Sequence, residues 1–122
     1  MATILIIDDD PALRATMRKI LERAGYEVSD AADGDAGLRQ VAAGAPDLVI
    51  TDLLMPEKEG IETIQELTER YPDVRILAVS GAGGGENEEG PLMDAKLFGA
   101  HAVLPKPFSV QAFTDVVAGL LA

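Results

Sequence analysis

The sequence predicts an α/β domain built as a doubly wound, five-stranded parallel sheet with five helices on its two faces. Three observations lead there. Ile4–Ile7, Leu48–Thr51, Ile76–Val79 and Ala102–Leu104 are short apolar runs without alternation, the pattern of strands covered on both faces. Between the runs the apolar spacing lengthens to that of amphipathic helices. Each run also stops at a polar group suited to phosphate or metal chemistry: Asp8-Asp9, Asp52, Ser80 and Pro105-Lys106-Pro107. In open parallel sheets ligands bind beyond the carboxyl ends of the strands, where the strand order reverses. Three carboxylates, a hydroxyl and an ammonium are therefore expected to converge.

The first strand is expected at about Thr3–Ile7. Pro11 then opens a helix, where its missing N–H costs nothing. Leu13, Met17, Ile20, Leu21 and Ala24 form the apolar stripe of that helix and Gly25 ends it. Tyr26–Ala31 reads as the second strand, Asp33-Gly34 as a turn, and Ala36–Ala43 as a helix stopped by Gly44. Asp47–Thr51 is the third strand, and a loop runs from Met55-Pro56 to Gly60. The third helix covers about Ile61–Tyr71, with Ile61, Ile64, Leu67 and Thr68 inward. Arg75–Val79 is the fourth strand, Leu92–Phe98 a fourth helix and His101–Leu104 the fifth strand. Ser109 caps a last helix whose apolar face is Phe113, Val116, Val117, Leu120 and Leu121. Right-handed crossovers leave few arrangements of such a chain, and the flavodoxin-like order 2-1-3-4-5 is the natural one.

A chain of 122 residues suits one domain, 1–122, big enough for a single core and too small for two. No apolar stretch approaches a membrane span, so no membrane insertion is expected. The start leads directly into a strand without a signal-like segment. Cysteine is absent, which excludes disulfides, thiolate metal sites and cysteine catalysis. These features fit the cytoplasm. Net charge is −11, from 21 acidic and 10 basic side chains, so nucleic acid phosphates should be repelled. The one basic cluster, Arg14, Arg18, Lys19 and Arg23, lies in the first helix. It reads either as a solvated face with pairs such as Arg18 to Glu22, or as a docking face for an acidic partner. The stretch Gly81–Pro91 is glycine-rich and holds three glutamates. It lacks the Lys-Ser/Thr of a phosphate-cradling loop and reads as a flexible lid or partner surface.

Asp8, Asp9 and Asp52 would set several negative charges close together, raising at least one pKa unless a cation compensates. A hard divalent ion such as Mg²⁺ does so, taking oxygen ligands from a few carboxylates. Asp10 reads as a helix cap. Asp52, alone at the end of a central strand, suits a nucleophile that attacks phosphorus to form an acyl phosphate. Lys106 would supply a point charge from the opposite side and Ser80 a hydroxyl.

These residues resemble the receiver domain of bacterial two-component response regulators. The likeness rests on Asp8-Asp9, on Asp52-Leu53-Leu54-Met55-Pro56 followed by Gly60, on Ser80, on Gly99-Ala100 and on Lys106-Pro107-Phe108, and it spans the chain. The resemblance implies that Asp52 is the phosphoacceptor. It also implies that Asp9 and Asp52 bind Mg²⁺ (or Mn²⁺), Asp8 assists through water, and the Leu54 carbonyl completes the metal site. Ser80 and Lys106 would contact the phosphoryl group, and Lys106–Pro107 would be a cis peptide. The phosphodonor would be a phosphohistidine on a sensor histidine kinase or a histidine phosphotransfer protein. With no output domain after residue 122, the domain would act alone, like a chemotaxis regulator, through a downstream protein target. It would catalyse its own phosphorylation and dephosphorylation without being a conventional enzyme.

Two departures from the family stand out. Val103 occupies the position three before the lysine where the family usually has Tyr or Phe, and the segment from Ser80 to Gly99 is longer and richer in glycine. The competing reading is a degenerate receiver that binds partners without phosphorylation. Leu54 and Ala82 replace side chains that often position attacking water, so slow loss of phosphate is expected. A flavin-binding protein of the same topology would want aromatics to stack the ring, and this chain has two Tyr and three Phe. An aspartyl phosphatase would carry a second acid where Leu54 stands. His101 reads as a strand residue.

Overall fold

The computed structural model describes residues 1–53, 60–80 and 99–122, and of Ser80 the backbone only. Five parallel strands, β1 (Thr3–Ile7), β2 (Glu27–Ala31), β3 (Leu48–Asp52), β4 (Arg75–Ser80) and β5 (Ala102–Pro105), pair in the order β2-β1-β3-β4-β5. Four helices are described: α1 (Pro11–Arg23), α2 (Gly34–Ala43), α3 (Gly60–Arg70) and α4 (Val110–Leu121). The helix expected over 92–98 lies outside the described residues. Sheet order and fold class are those expected from the sequence.

The continuous apolar runs divide between two cores because successive side chains of a strand point to opposite faces. Leu5 and Ile7 join Val41 of α2 and Ile64 and Leu67 of α3 on one face. Ile4 and Ile6 join Met17 and Leu21 of α1 and Phe113 and Val117 of α4 on the other. Phe108 stacks on Phe113 with ring centroids 5.2 Å apart, anchoring the chain that leaves β5. Asp10 caps α1, Asp33 caps α2 and Ser109 caps α4. Gly25, at φ +100°, turns the chain out of α1 in the conformation that glycine adopts without a Cβ clash.

Several expected boundaries and faces shift. β3 starts one residue later and ends on Asp52, so this aspartate is held by the sheet itself, its Cα in register with Val79. β4 extends to Ser80 and β5 runs Ala102–Pro105. α2 begins at Gly34, earlier than the reading from Ala36, because the Asp33 side chain accepts from the Ala36 N–H and starts the helix there. In α3 it is Thr63, not Thr68, that is buried with Ile64 and Leu67. Thr68 is exposed and lies over Gly99, whose missing Cβ leaves it room. Ala24, read as part of the α1 stripe, is exposed.

The order reversal falls between β1 and β3. From β1 the chain first adds β2 on one side and then β3 on the other. The first residues of α3 also close on this point. A Cβ on Gly60 would overlap the Asp52 carbonyl oxygen, and the Gly60 N–H donates to the Leu53 carbonyl at 3.2 Å. Only glycine lets α3 begin so near the end of β3.

His101 stands just before β5. Its amide donates to the Ile76 carbonyl at 2.9 Å, and its Nδ1 accepts the Ile76 amide at 3.0 Å. Burial chiefly, and the Arg75 charge secondarily, lower its pKa from the ordinary 6.5. Protonated Nδ1 could not accept that bond. Because the folded protein takes up this proton less readily than the unfolded chain, the stabilisation is present above about pH 6.5. It is lost as acidification proceeds down through the folded-state value. Urea midpoints of the wild type should therefore fall more steeply between about pH 7 and about pH 5 than those of His101→Gln. Parallel pH curves would show that the Nδ1 bond does not form.

Candidate functional site

Asp8 directly follows β1 and extends its ladder, its N–H donating to the Ala31 carbonyl of β2 at 3.1 Å. The Asp10 amide donates to Asp8 Oδ1 at 2.9 Å. Asp10 in turn accepts from Ala12 and Leu13 N–H at 3.0 and 3.2 Å. The acidic turn is thus locked to the start of α1. On the other side of Asp8, the carbonyl accepts from Arg14 Nη1 at 2.7 Å. The Arg14 guanidinium also lies against Asp30 of β2, with Nε 3.4 Å from Oδ1. Arg18 Nη1 takes the second Asp30 oxygen at 2.7 Å and Arg18 Nε takes Glu22 at 3.2 Å.

Asp52 closes β3 and is 7% exposed, whereas Asp8 is 0% exposed and Asp9 is exposed. One carboxylate oxygen from each of the three lies within 4.8 Å of the others. Lys106 follows β5 and reaches over the sheet edge. Its Nζ is 3.4 Å from Asp8 Oδ2 and 3.4 Å from Asp52 Oδ2, with 19% of its side chain exposed. The Lys106–Pro107 peptide is cis.

Burial, the largest influence, pushes the Asp8 carboxyl above its ordinary 3.8, and the Asp52 charge pushes the same way. The Asp10 amide and the Lys106 ammonium act against both. Among the described residues, three carboxylates, two of them buried, gather beside the Lys106 ammonium, and burying such charges is costly unless they are paired. The donor set is hard oxygen and closely grouped. That is the chemistry a small divalent cation satisfies.

The sequence-predicted residues Asp8, Asp9, Asp52 and Lys106 come together here. Ser80, the last residue of β4, is in register with Pro105, so its backbone lies at the same carboxyl edge. Leu54 lies outside the described residues. Asp10 is the cap it was expected to be, and Arg18 pairs with Glu22 as the i, i+4 spacing implied. Sequence reasoning missed Arg14 and Asp30 as supports of the site. The spacing from Asp10 to Arg14, one helical turn, could have suggested that Arg14 reaches back toward the end of β1. Nothing local could have supplied Asp30, which enters only through the β1–β2 register.

Residues 4–118 match the response regulator receiver domain. The DNA-binding transcriptional regulator NtrC of Azospirillum brasilense is 37% identical over 116 residues, 95% of this chain and 23% of that protein. Response regulator MprA of Mycolicibacterium vanbaalenii is 36% identical over 118 residues, covering 97% of this chain and 49% of MprA. The chain thus spans half or less of these relatives. Among solved structures, the chemotaxis response regulator CheY4 of Vibrio cholerae superposes with a TM-score of 0.89 at 29% identity, over 99% of both chains. With the aspartates after β1, the aspartate ending β3 and the lysine after β5 brought together, the chain belongs to the response regulator receiver domain family.

Proposed function

We propose that this protein accepts a phosphoryl group on Asp52 from a phosphohistidine of a sensor histidine kinase or histidine phosphotransfer protein, and that it signals through protein–protein contacts. The observation that carries the reading is the Lys106 ammonium shared at 3.4 Å between Asp8 and Asp52. One cation reaches both an acidic partner and the candidate nucleophile. An Asp52 carboxylate oxygen would attack phosphorus, forming an O–P bond as the P–N bond to the donor imidazole breaks. The departing ring nitrogen keeps the electron pair and takes up a proton. Lys106, already beside Asp52, would follow the charge onto the phosphoryl oxygens. Ser80, from the end of β4, would add a hydroxyl donor.

Asp8, Asp9 and Asp52, with the Leu54 carbonyl, would hold Mg²⁺ (or Mn²⁺). The ion's contribution when bound is to neutralise the acidic cluster and the incoming phosphoryl oxygens. The domain, residues 1–122, would act as a phosphoryl-accepting receiver in the cytoplasm. No described helix is long and apolar enough to cross a membrane. A downstream protein would receive the signal, without direct nucleic acid contact, since net charge is −11. The second reading, a receiver that binds partners without phosphorylation, is favoured by Val103. This partly buried side chain stands where a switching ring is usual.

Incubation with acetyl phosphate and Mg²⁺ should add one phosphoryl group by intact mass, and none to Asp52→Asn. An unchanged wild-type mass would favour the second reading. The adduct should decay slowly, because neither Leu54 nor Ala82 can orient an attacking water. A half-life of only seconds by the same mass assay would contradict this. Asp8→Asn should stabilise the metal-free protein at neutral pH, as read by chemical denaturation in chelator. The sign follows from the raised Asp8 pKa. The stability linked to its proton is present below the ordinary 3.8 and lost as pH rises through the folded-state value, so the neutral amide removes a cost. The same change should weaken Mg²⁺ binding. Equal stability of both proteins in chelator would mean that Lys106 already cancels the charge.

A further inference from the structure

We propose that Arg14 is a positioning residue for the divalent-cation site, acting through the Asp8–Asp9 peptide; this rests on the reading that Asp8, Asp9 and Asp52 hold Mg²⁺. The Asp8 carbonyl and the Asp9 N–H belong to one planar peptide. The 2.7 Å bond from Arg14 Nη1 to that carbonyl therefore fixes the plane from which the Asp9 side chain departs. Asp9 needs such a hold. It is the exposed member of the cluster.

The clamp is itself clamped. Arg14 is only 20% exposed, and its Nε faces Asp30 Oδ1 at 3.4 Å while Arg18 occupies Oδ2 at 2.7 Å. Gln40 Nε2 donates to the Asp30 carbonyl at 2.8 Å, tying the same residue to α2. The planar guanidinium fork serves the carbonyl and the carboxylate at once, which a lysine ammonium at the end of a flexible stem cannot do with the same geometry. Asp30 on β2 thus aims Arg14, Arg14 fixes the Asp8–Asp9 peptide, and the peptide sets where Asp9 stands relative to Asp52.

This role makes a prediction opposite in sign to simple electrostatics. Removing a positive charge near a dication site should tighten Mg²⁺ binding if charge alone matters. Removing a positioning contact should weaken it, by about tenfold for a group that orients ligands from behind. Mg²⁺ affinity would be measured by calorimetry on the whole chain for wild type, Arg14→Gln, Arg14→Lys and Asp30→Asn. The expected result is about tenfold weaker binding for Arg14→Gln. Arg14→Lys should also be weakened, although its charge is kept, and Asp30→Asn less so, because the bond to the Asp8 carbonyl survives. Wild-type or tighter affinity in Arg14→Gln and Arg14→Lys would overturn the proposal, including the case where only thermal stability falls. Should Arg14→Gln fail to fold, Arg14→Lys decides by the same measurement. A wild type that binds no Mg²⁺ would overturn the metal reading beneath the proposal, a result distinct from wild-type binding with unaffected variants.

Discussion

The burial of the Asp8 carboxylate beside Asp52 is the constraint on which the rest of the site depends. A buried charge without compensation is among the most costly features a fold can contain. Here it sits at 0% exposure, next to a second carboxylate at 7%. One lysine from the far end of the sheet is shared between the two. Asp9 adds a third carboxylate to the group. Under the proposed function, a divalent cation held by these oxygens would offset their mutual repulsion. Packing alone would favour apolar residues at these positions, so their acidity is an argument for chemistry over stability.

That charge is held by geometry at every polar atom of Asp8. Its N–H is bound by β2, its carbonyl by Arg14, Oδ1 by the Asp10 amide and Oδ2 by Lys106. The contacts come from β2, from the residues opening α1, from α1 itself and from the segment after β5. An arrangement assembled from such distant segments is only as rigid as the sheet beneath it. The sheet meets that need with two apolar cores, one on each face. Asp52 gains its own rigidity by being the last residue of β3 and by the close approach of Gly60 to its carbonyl.

Much of this was legible in the sequence, and the reasons are specific. Unbroken runs such as Ile4–Ile7 and Leu48–Thr51 betray strands covered on both faces, and the polar residue after each run marks the edge where ligands gather. Asp8, Asp9, Asp52 and Lys106 could be named because their meaning lies in strand-end position, which a linear pattern preserves. The end of β3 was misjudged by one residue because a carboxylate is a poor strand former by composition, and pairing with β4 overrides that preference. Thr68 was read as inward from its spacing, which ignores the room that Gly99 gives it at the surface. The Arg14–Asp30–Arg18 chain was out of reach because register between β1 and β2 sets it, and periodicity within one segment carries no information about register.

The basic residues of α1 illustrate how structure divides a cluster that sequence treats as one. Arg14 and Arg18 turn toward the body of the protein and share the two oxygens of Asp30. Lys19 and Arg23 are exposed. The two readings of this helix, internal pairing and recognition of an acidic partner, therefore fall on different residues. Ion pairs at the surface contribute little to stability, yet Arg14 is largely buried and touches the backbone of the acidic turn. Its value lies in placement more than in energy. In a chain of net charge −11, committing two of four clustered cations to hold β2 and the Asp8 carbonyl narrows what remains for long-range attraction of a partner. Any docking on this helix by charge would then fall to Lys19 and Arg23, and the specificity of partner choice would have to come from shape and apolar contact around the strand ends.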